Sequence, residues 1–385
     1  MKRKFLSILL LLIVSMLIAL PYSVLAGPPP KIKTMTRNLY LGADIFKVVD
    51  AAQADPDTIP FVVAEVYQDM LNSNFPERAG ALANEIALFE PDVVGLQEVS
   101  RYLKTVPGQN TELIIDFYSV LDAALKDRGM YYTPFINLNA NITMPMIDDT
   151  GFSYVTMMDH DVILVREDHI ASNEFKGNYL YQLELNVGTT TLAFTRGYIF
   201  VDVNIKGTDY CFVNTHLEVR SSPGSVYRVF QAAQMRELLT ILSNETKPII
   251  MVGDFNSSPT DIPGTSDVPG MGTVPYVPPY MQAALGVEYP LPQFPMPVYA
   301  SYKDAWVERI NQKYSDGFTS GFDEYVSDPT AELTSRIDLI FVDEKDLDVD
   351  KVTADVVGDE VGDMTPSGLW PSDHAGVVVK IKFDK

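Results

Sequence analysis

Six apolar runs in this chain end abruptly on a polar motif, and that recurrence constrains its fold more than any other feature. In order along the chain, they deliver Asn38 in T-R-N-L, Glu98 in V-V-G-L-Q-E, and His216 in F-V-N-T-H-L. Asp254 and Asn256 follow in I-I-M-V-G-D-F-N, then Arg336 and Asp338 in R-I-D-L-I-F-V, and Asp373 with His374 in P-S-D-H. A short apolar run of this kind reads as a strand buried on both faces. Acids, amides and imidazoles at the ends of several such strands point to one rim. That layout suits metal-assisted hydrolysis.

Between these runs, Ala79, Leu82, Ala83, Ile86 and Phe89 recur near a period of 3.6, which predicts a helix over 77–90 stopped by Pro91. The same reasoning predicts helices over 112–128 and 228–243. Strands are expected at 31–38, 93–97, 161–165, 197–203, 210–214, 248–253, 336–342 and 375–383. Several strand-to-strand steps imply a mixed sheet rather than a purely parallel one. The stretch 258–300 breaks this pattern. Nine prolines fall between residues 261 and 300, a density that opposes a helix or a central strand and predicts an ordered excursion or loop. No internal repeat and no other linker is visible, so residues 27–385 read as one catalytic domain carrying that insertion.

Residues 1–26 stand apart. Lys2, Arg3 and Lys4 precede the apolar run 5–20, and Val24-Leu25-Ala26 offers small residues before Gly27. This is the order of a secretory signal peptide, and it predicts a secreted or periplasmic protein. Cys211 is the only cysteine, so no intramolecular disulfide can form and the core must supply stability unaided. Cys211 itself reads as a small buried hydrophobe. The net charge of −22 repels polyanions, and no basic stripe suited to a DNA duplex is present beyond Lys31 and Lys33. Bound divalent cations can invert that field locally, so a nuclease stays open.

The candidate chemistry follows from the motif residues. Glu98, at the end of a fully apolar strand, calls for a cation opposite it. Mg²⁺ takes one or two carboxylates and completes its shell with water and phosphate oxygens. Asn38 is a candidate neutral oxygen ligand, although alone it fits a turn. Asp254 and Asn256, one residue apart, share a side if the strand persists; an Asx turn is the competing reading. Two of only four histidines lie in these motifs. His374 is expected to act as acid or base with Asp338 orienting its ring, and His216 to neutralise charge on a scissile phosphate. Arg336 fits either the site or a salt bridge. Thr319 is a candidate phosphate donor, and His160 and His169 read as structural.

Taken together, Q-E, N-T-H-L, G-D-F-N, R-I-D and S-D-H resemble, in order, the endonuclease/exonuclease/phosphatase superfamily with its deoxyribonuclease-I-like fold, over about residues 32 to 383. The resemblance implies a four-layered α/β sandwich of two packed mixed β-sheets flanked by helices. It implies Asn38, Glu98 and Asp373 around a divalent metal, with Asp254 and Asn256 positioning or activating the attacking water. It further implies His216 and His374 on the phosphate, and Asp338 paired with His374. The phosphate contact expected from the middle of the chain has no clear counterpart, Tyr154 being one guess. The metal is expected to be Mg²⁺, with Mn²⁺ and Ca²⁺ equally suited to oxygen ligands. The expected activity is phosphoric ester hydrolysis, leaning to a phosphodiester of a sphingomyelin-type lipid. That lean rests on the acidic surface and on an excursion bearing Met271, Met281 and Met296 that could touch a membrane surface. An extracellular nuclease, a phosphomonoesterase of inositol or sugar phosphates, and a non-catalytic binding protein are the alternatives. No obligate protein partner is inferred.

Overall fold

The computed structural model describes residues 31–182, 184–187, 190–292, 301–311, 316–345 and 347–384. The segment read as a signal peptide, and Met296 in the excursion, lie outside them. The strands are β1 (Lys31–Asn38), β2 (Val93–Gln97), β3 (Arg101–Thr105), β4 (Glu112–Asp116), β5 (Tyr132–Asp148), β6 (Gly151–Arg166), β7 (Ile170–Asn178), β8 (Glu184–Val187), β9 (Thr190–Ala193), β10 (Gly197–Ile205), β11 (Thr208–His216), β12 (Ile249–Asp254), β13 (Gly264–Val268), β14 (Gly272–Tyr276), β15 (Lys303–Asp304), β16 (Asp338–Asp343), β17 (Val349–Val357) and β18 (Gly376–Phe383). The helices are α1 (Phe46–Ala54), α2 (Ile59–Asn72), α3 (Phe75–Phe89), α4 (Phe117–Lys126), α5 (Val226–Leu242) and α6 (Pro279–Leu285).

Two mixed sheets carry the fold. One runs β17-β18-β1-β2-β6-β3-β4 with β5 paired to β6, and the other runs β15-β16-β12-β11-β10-β7. The parallel pairs β1/β2 and β11/β12 lie at their centres. Alternation along the strands builds the layers. Val93, Ile250 and Val252 meet between the sheets. Val94 and Leu96 turn outward onto Leu82, Ile86 and Phe117, while Ile249 and Met251 pack on Met235, Leu238 and Leu239 of α5. The order helix, sheet, sheet, helix is the expected four-layered sandwich. At Gly95 the sheets approach so closely that a Cβ would sit 2.4 Å from Val252 Cγ2. Only glycine fits there, one turn of the pleat before Glu98.

Three local expectations change. Residues 112–116 form β4 rather than the first turn of a helix, because Leu113 and Ile115 pair across to β3; α4 starts only after Asp116, whose carboxylate caps Ser119 N at 3.1 Å. Strand β6 is a long hairpin partner of β5, of which only residues 161–165 were anticipated. The proline-rich excursion holds the hairpin β13/β14 and the short helix α6. Its described aromatic residues face inward, Tyr276 and Tyr289 packing against Ala232 and Ala233 of α5, which leaves Ile262, Met271 and Leu285 as its exposed large apolar residues among those described. Among the described residues no helix is long and apolar enough to cross a membrane. Cys211 is buried, as expected.

Candidate active site

The registers explain why the motif residues meet. Strand β12 pairs with β11 and β16, so Asp254 lies directly between His216 and Asp338. The parallel register of β1 and β2 sets Asn38 beside Gln97, with Glu98 next. The chain leaves these strands through left-handed backbone at Tyr40 (φ 58°), Glu98 (φ 56°) and Asn256 (φ 50°). For Tyr40 and Glu98 that conformation costs about 1–2 kcal/mol each, a strain tolerated where it aims side chains into a cleft.

Hydrogen bonds tie the set together. Asn38 Nδ2 donates to Glu98 Oε1 at 3.1 Å and to Asp254 Oδ2 at 3.2 Å, while its oxygen accepts from Tyr40 N at 2.8 Å. Asn38 was expected to offer an oxygen to a metal; its nitrogen bridges two acids, and its oxygen, which accepts from the Tyr40 amide, keeps a second lone pair. Glu98 Oε2 accepts from Leu41 N at 2.7 Å. Asp254 Oδ1 accepts from Asn256 N at 2.8 Å, so the Asx turn forms. The extended continuation that would place Asp254 and Asn256 on one side is absent. Asn256 still reaches the site: its oxygen accepts from Arg220 N, which directs its amide nitrogen to Leu217 O at 3.2 Å and beside His216.

The two histidines carry opposite electrostatics. Burial pushes His374 down, yet Asp338, Asp373 and Asp254 together outweigh it and hold the imidazole well above its ordinary value. Its Nδ1 lies 2.9 Å from Asp338 Oδ2, so His374 is the imidazolium of an ion pair. His216 is pushed well below its ordinary value by burial, then by Arg196 and His374. Arg196 Nη1 can only donate, and it lies 3.0 Å from His216 Nδ1. On the other side of the ring, Nε2 lies 3.2 Å from Asn256 Nδ2 and 3.4 Å from Asp254 Oδ2, so the imidazole is held between a donor on each side and the Asp254 carboxylate. The charge expected on His216 resides instead on Arg196 and His374. Between the rings, burial and then Asp338 push Asp254 up to about 7.

A cleft of about 280 Å³ is lined by Glu98, Asp373, Asp159, Arg196, Tyr40 and Phe322, among others; His216 adjoins it through Arg196, and Asp254 through Asn38, which bridges to Glu98. Burial raises both Glu98 and Asp373, and Asp373 raises Glu98 further. Asp373 has only the Ser372 hydroxyl, at 3.3 Å, as a side-chain partner. Two incompletely satisfied carboxylates converging on one cleft are the donor set of a hard divalent cation. Asp254, Asp338 and His374 also cluster closely enough to ligate an ion, but the 2.9 Å contact of His374 with Asp338 already engages those atoms. The Glu98 and Asp373 pair fits better.

Residues that sequence motifs missed complete the cleft. Among the described residues, Arg196 is its only cationic lining residue, with Glu218 at 3.7 Å beside it. The signal was available: pairing counted outward from the Lys206-Gly207 turn brings Gly197 opposite His216, and Arg196 precedes Gly197. Asp159 and Asp161 project from β6, and burial raises both, Asp159 to about 6. Neither oxygen of Asp161 meets a donor.

Other candidates belong elsewhere. Arg336 makes a buried two-point salt bridge with Asp304, at 3.1 and 2.7 Å. Thr319 Oγ1 accepts from the amides of Ile337 and Asp338, and so positions Asp338 rather than a phosphate. Tyr154 is exposed, opposite Thr105 and against Phe152, well along the hairpin from Asp159. His160 bonds Val99 O and His169 bonds Asp92, both structural.

Comparison with known proteins agrees with this architecture. The model of the endonuclease/exonuclease/phosphatase family matches residues 70–374, a span that holds every motif residue above except Asn38. A solved endonuclease/exonuclease/phosphatase family protein from Bacteroides thetaiotaomicron is similar over 92% of this chain and 96% of its own, with TM-score 0.52 and 16% identity. One from Leptotrichia buccalis C-1013-b covers 92% and 100%, with TM-score 0.50 and 17% identity. The D. rerio TDP2 complexed with single strand DNA product covers 92% and 99%, with TM-score 0.49 and 17% identity. No curated protein sequence matches the chain.

Proposed function

Because the chain belongs to the endonuclease/exonuclease/phosphatase family, we propose that it hydrolyses a phosphodiester by in-line attack of water, assisted by a divalent metal. Glu98 and Asp373 would hold the metal, with Mg²⁺ the first choice and Mn²⁺ or Ca²⁺ compatible with the same oxygens. When bound, it would neutralise charge on the phosphate and on the departing oxygen.

The chain's own residues do the rest. Asp254, poised at about 7, accepts the proton of the attacking water as the new O–P bond forms and the ester O–P bond breaks opposite it. Asn38 fixes the Asp254 carboxylate by its amide hydrogen bond, and the His216 imidazole lies against its other flank at 3.4 Å. The His374 imidazolium and Arg196 face the negative oxygens of the phosphate. Asp338 keeps His374 charged and oriented. One observation carries this reading: a near-neutral base sits between two imidazoles of opposite charge state, an arrangement that separates acid from base.

The substrate we favour is a lipid phosphodiester. Asp44, Asp159 and Glu324 line the mouth with Arg196 as the sole cation among the described residues, on a chain of net charge −22. One phosphate suits that field better than a polyanion. Phosphocholine release from sphingomyelin, acid-soluble nucleotides from DNA or RNA, and phosphate from monoesters are measured side by side. Turnover of nucleic acid alone overturns the lipid reading. Export is proposed from residues 1–26, and a mature protein starting elsewhere than Gly27 would contradict that cleavage point.

A further inference from the structure

We propose that an apolar groove beside the catalytic cleft receives one alkyl chain of the phosphodiester substrate. The inference rests on the phosphodiesterase reading and adds where the non-phosphate part of the substrate lies. Ile45, Met157 and Phe194 line both the cleft and the groove, so the two adjoin along these side chains. Beyond that shared edge, Val63 and Val66 of α2 face Met144 of β5. The groove offers about 70 Å³ and is walled by apolar side chains together with Tyr67 and Tyr102. Ile45, Val66, Met144 and Phe194 remain only partly covered by the core they pack on, which leaves apolar surface for a ligand to bury.

The chemistry of the wall selects the occupant. A nucleobase or sugar carries polar edges that must find partners when they leave water. The hydroxyl of Tyr102 is already spent on Leu41 O at 2.8 Å, and the Tyr67 ring lies under the Lys104 ammonium at 5.6 Å. A hydrocarbon chain needs no partner and gains from the burial. An alkyl chain is therefore the class of group that fits.

The test uses alkyl 4-nitrophenyl phosphates, from methyl to octyl, kept below their micelle concentrations and assayed with Mg²⁺. Burial of about 0.8 kcal/mol per methylene predicts that kcat/KM rises about fourfold per carbon until the groove is filled. Val66→Trp, which fills the groove, and Met144→Gln, which makes its wall polar, each flatten that dependence. Both leave turnover of the methyl ester unchanged, which also reports that they fold. Hydrolysis of the methyl ester with no dependence on chain length overturns the groove proposal while sparing the phosphodiesterase reading. So does a chain-length dependence that survives both variants, or a preference for the 4-nitrophenyl ester of thymidine phosphate over the octyl ester. No hydrolysis of any member overturns the phosphodiesterase reading itself.

Discussion

Asp338→Asn removes one charge from the centre of the site without changing its shape. In the native structure Asp338 Oδ2 lies 2.9 Å from His374 Nδ1, and both groups are buried. A hydrogen bond between charged groups contributes about 1.5–3 kcal/mol net. Asp254, 3.9 Å from the same nitrogen, and Asp373 still support the imidazolium, so the loss should sit within that range. At about 1.4 kcal/mol per decade, a loss of about 1.5–3 kcal/mol lowers kcat/KM roughly 10- to 150-fold. The pH profile adds a directional test. Asp338 raises Asp254 and raises His374, so its neutralisation lowers both. The rise in rate as Asp254 deprotonates moves to lower pH, and so does the fall as His374 loses its proton. The whole bell moves to the acid side. Steady-state kinetics across pH at saturating Mg²⁺ measure both effects, with thermal unfolding as the control. A loss below threefold, or a bell that does not move, would refute the assignment of Asp338 and His374 as a charged pair.

Two further substitutions probe neighbouring claims. Arg196→Lys keeps a cation but cannot keep the planar fork that reaches His216; kcat/KM should fall about tenfold or more, and unchanged kinetics would remove Arg196 from the phosphate site. Asp161→Asn should stabilise the fold at pH 8, since neither oxygen of the buried carboxylate has a donor at hydrogen-bonding geometry among the described residues and the nearby Asn139 amide offsets only part of the burial. Its folded value lies above the ordinary one, chiefly through burial, so the native state favours the proton and wild-type stability declines as pH rises from the unfolded value through the folded one. The gain, about 1–3 kcal/mol at pH 8, therefore shrinks towards pH 4. Melting curves at both pH values check it, and a variant less stable than wild type at pH 8 would show that Asp161 has a partner in solution.

Which parts of this arrangement were legible in the sequence follows from burial. Strands β1, β2, β11, β12, β16 and β18 run through the centres of the two sheets, so their residues are apolar on both faces and their polar ends stand out. The β5/β6 hairpin was largely hidden because β5 pairs only with β6 and can carry Pro134 and Pro145 as an edge strand does. Residues 112–116 misled because Leu113, Ile114 and Phe117 are spaced as on a helix, while what makes them a strand is hairpin pairing with the preceding strand β3. Arg196 belongs to no motif and enters the cleft only through the β10/β11 register. Asn38 was legible as a site residue but not as a donor, since the orientation of its amide depends on the Tyr40 backbone.

The central claim is that Glu98 and Asp373 hold a divalent cation while Asp254 and His374 carry out phosphodiester hydrolysis. The most direct measurement is turnover of methyl 4-nitrophenyl phosphate by the wild type, Asp254→Ala and His374→Ala, each with Mg²⁺, with chelator, and after the metal is restored. The account predicts wild-type turnover that disappears with chelator and returns with Mg²⁺, and no turnover by either folded variant. Chelator-resistant hydrolysis, or near-native activity in either variant, would contradict it.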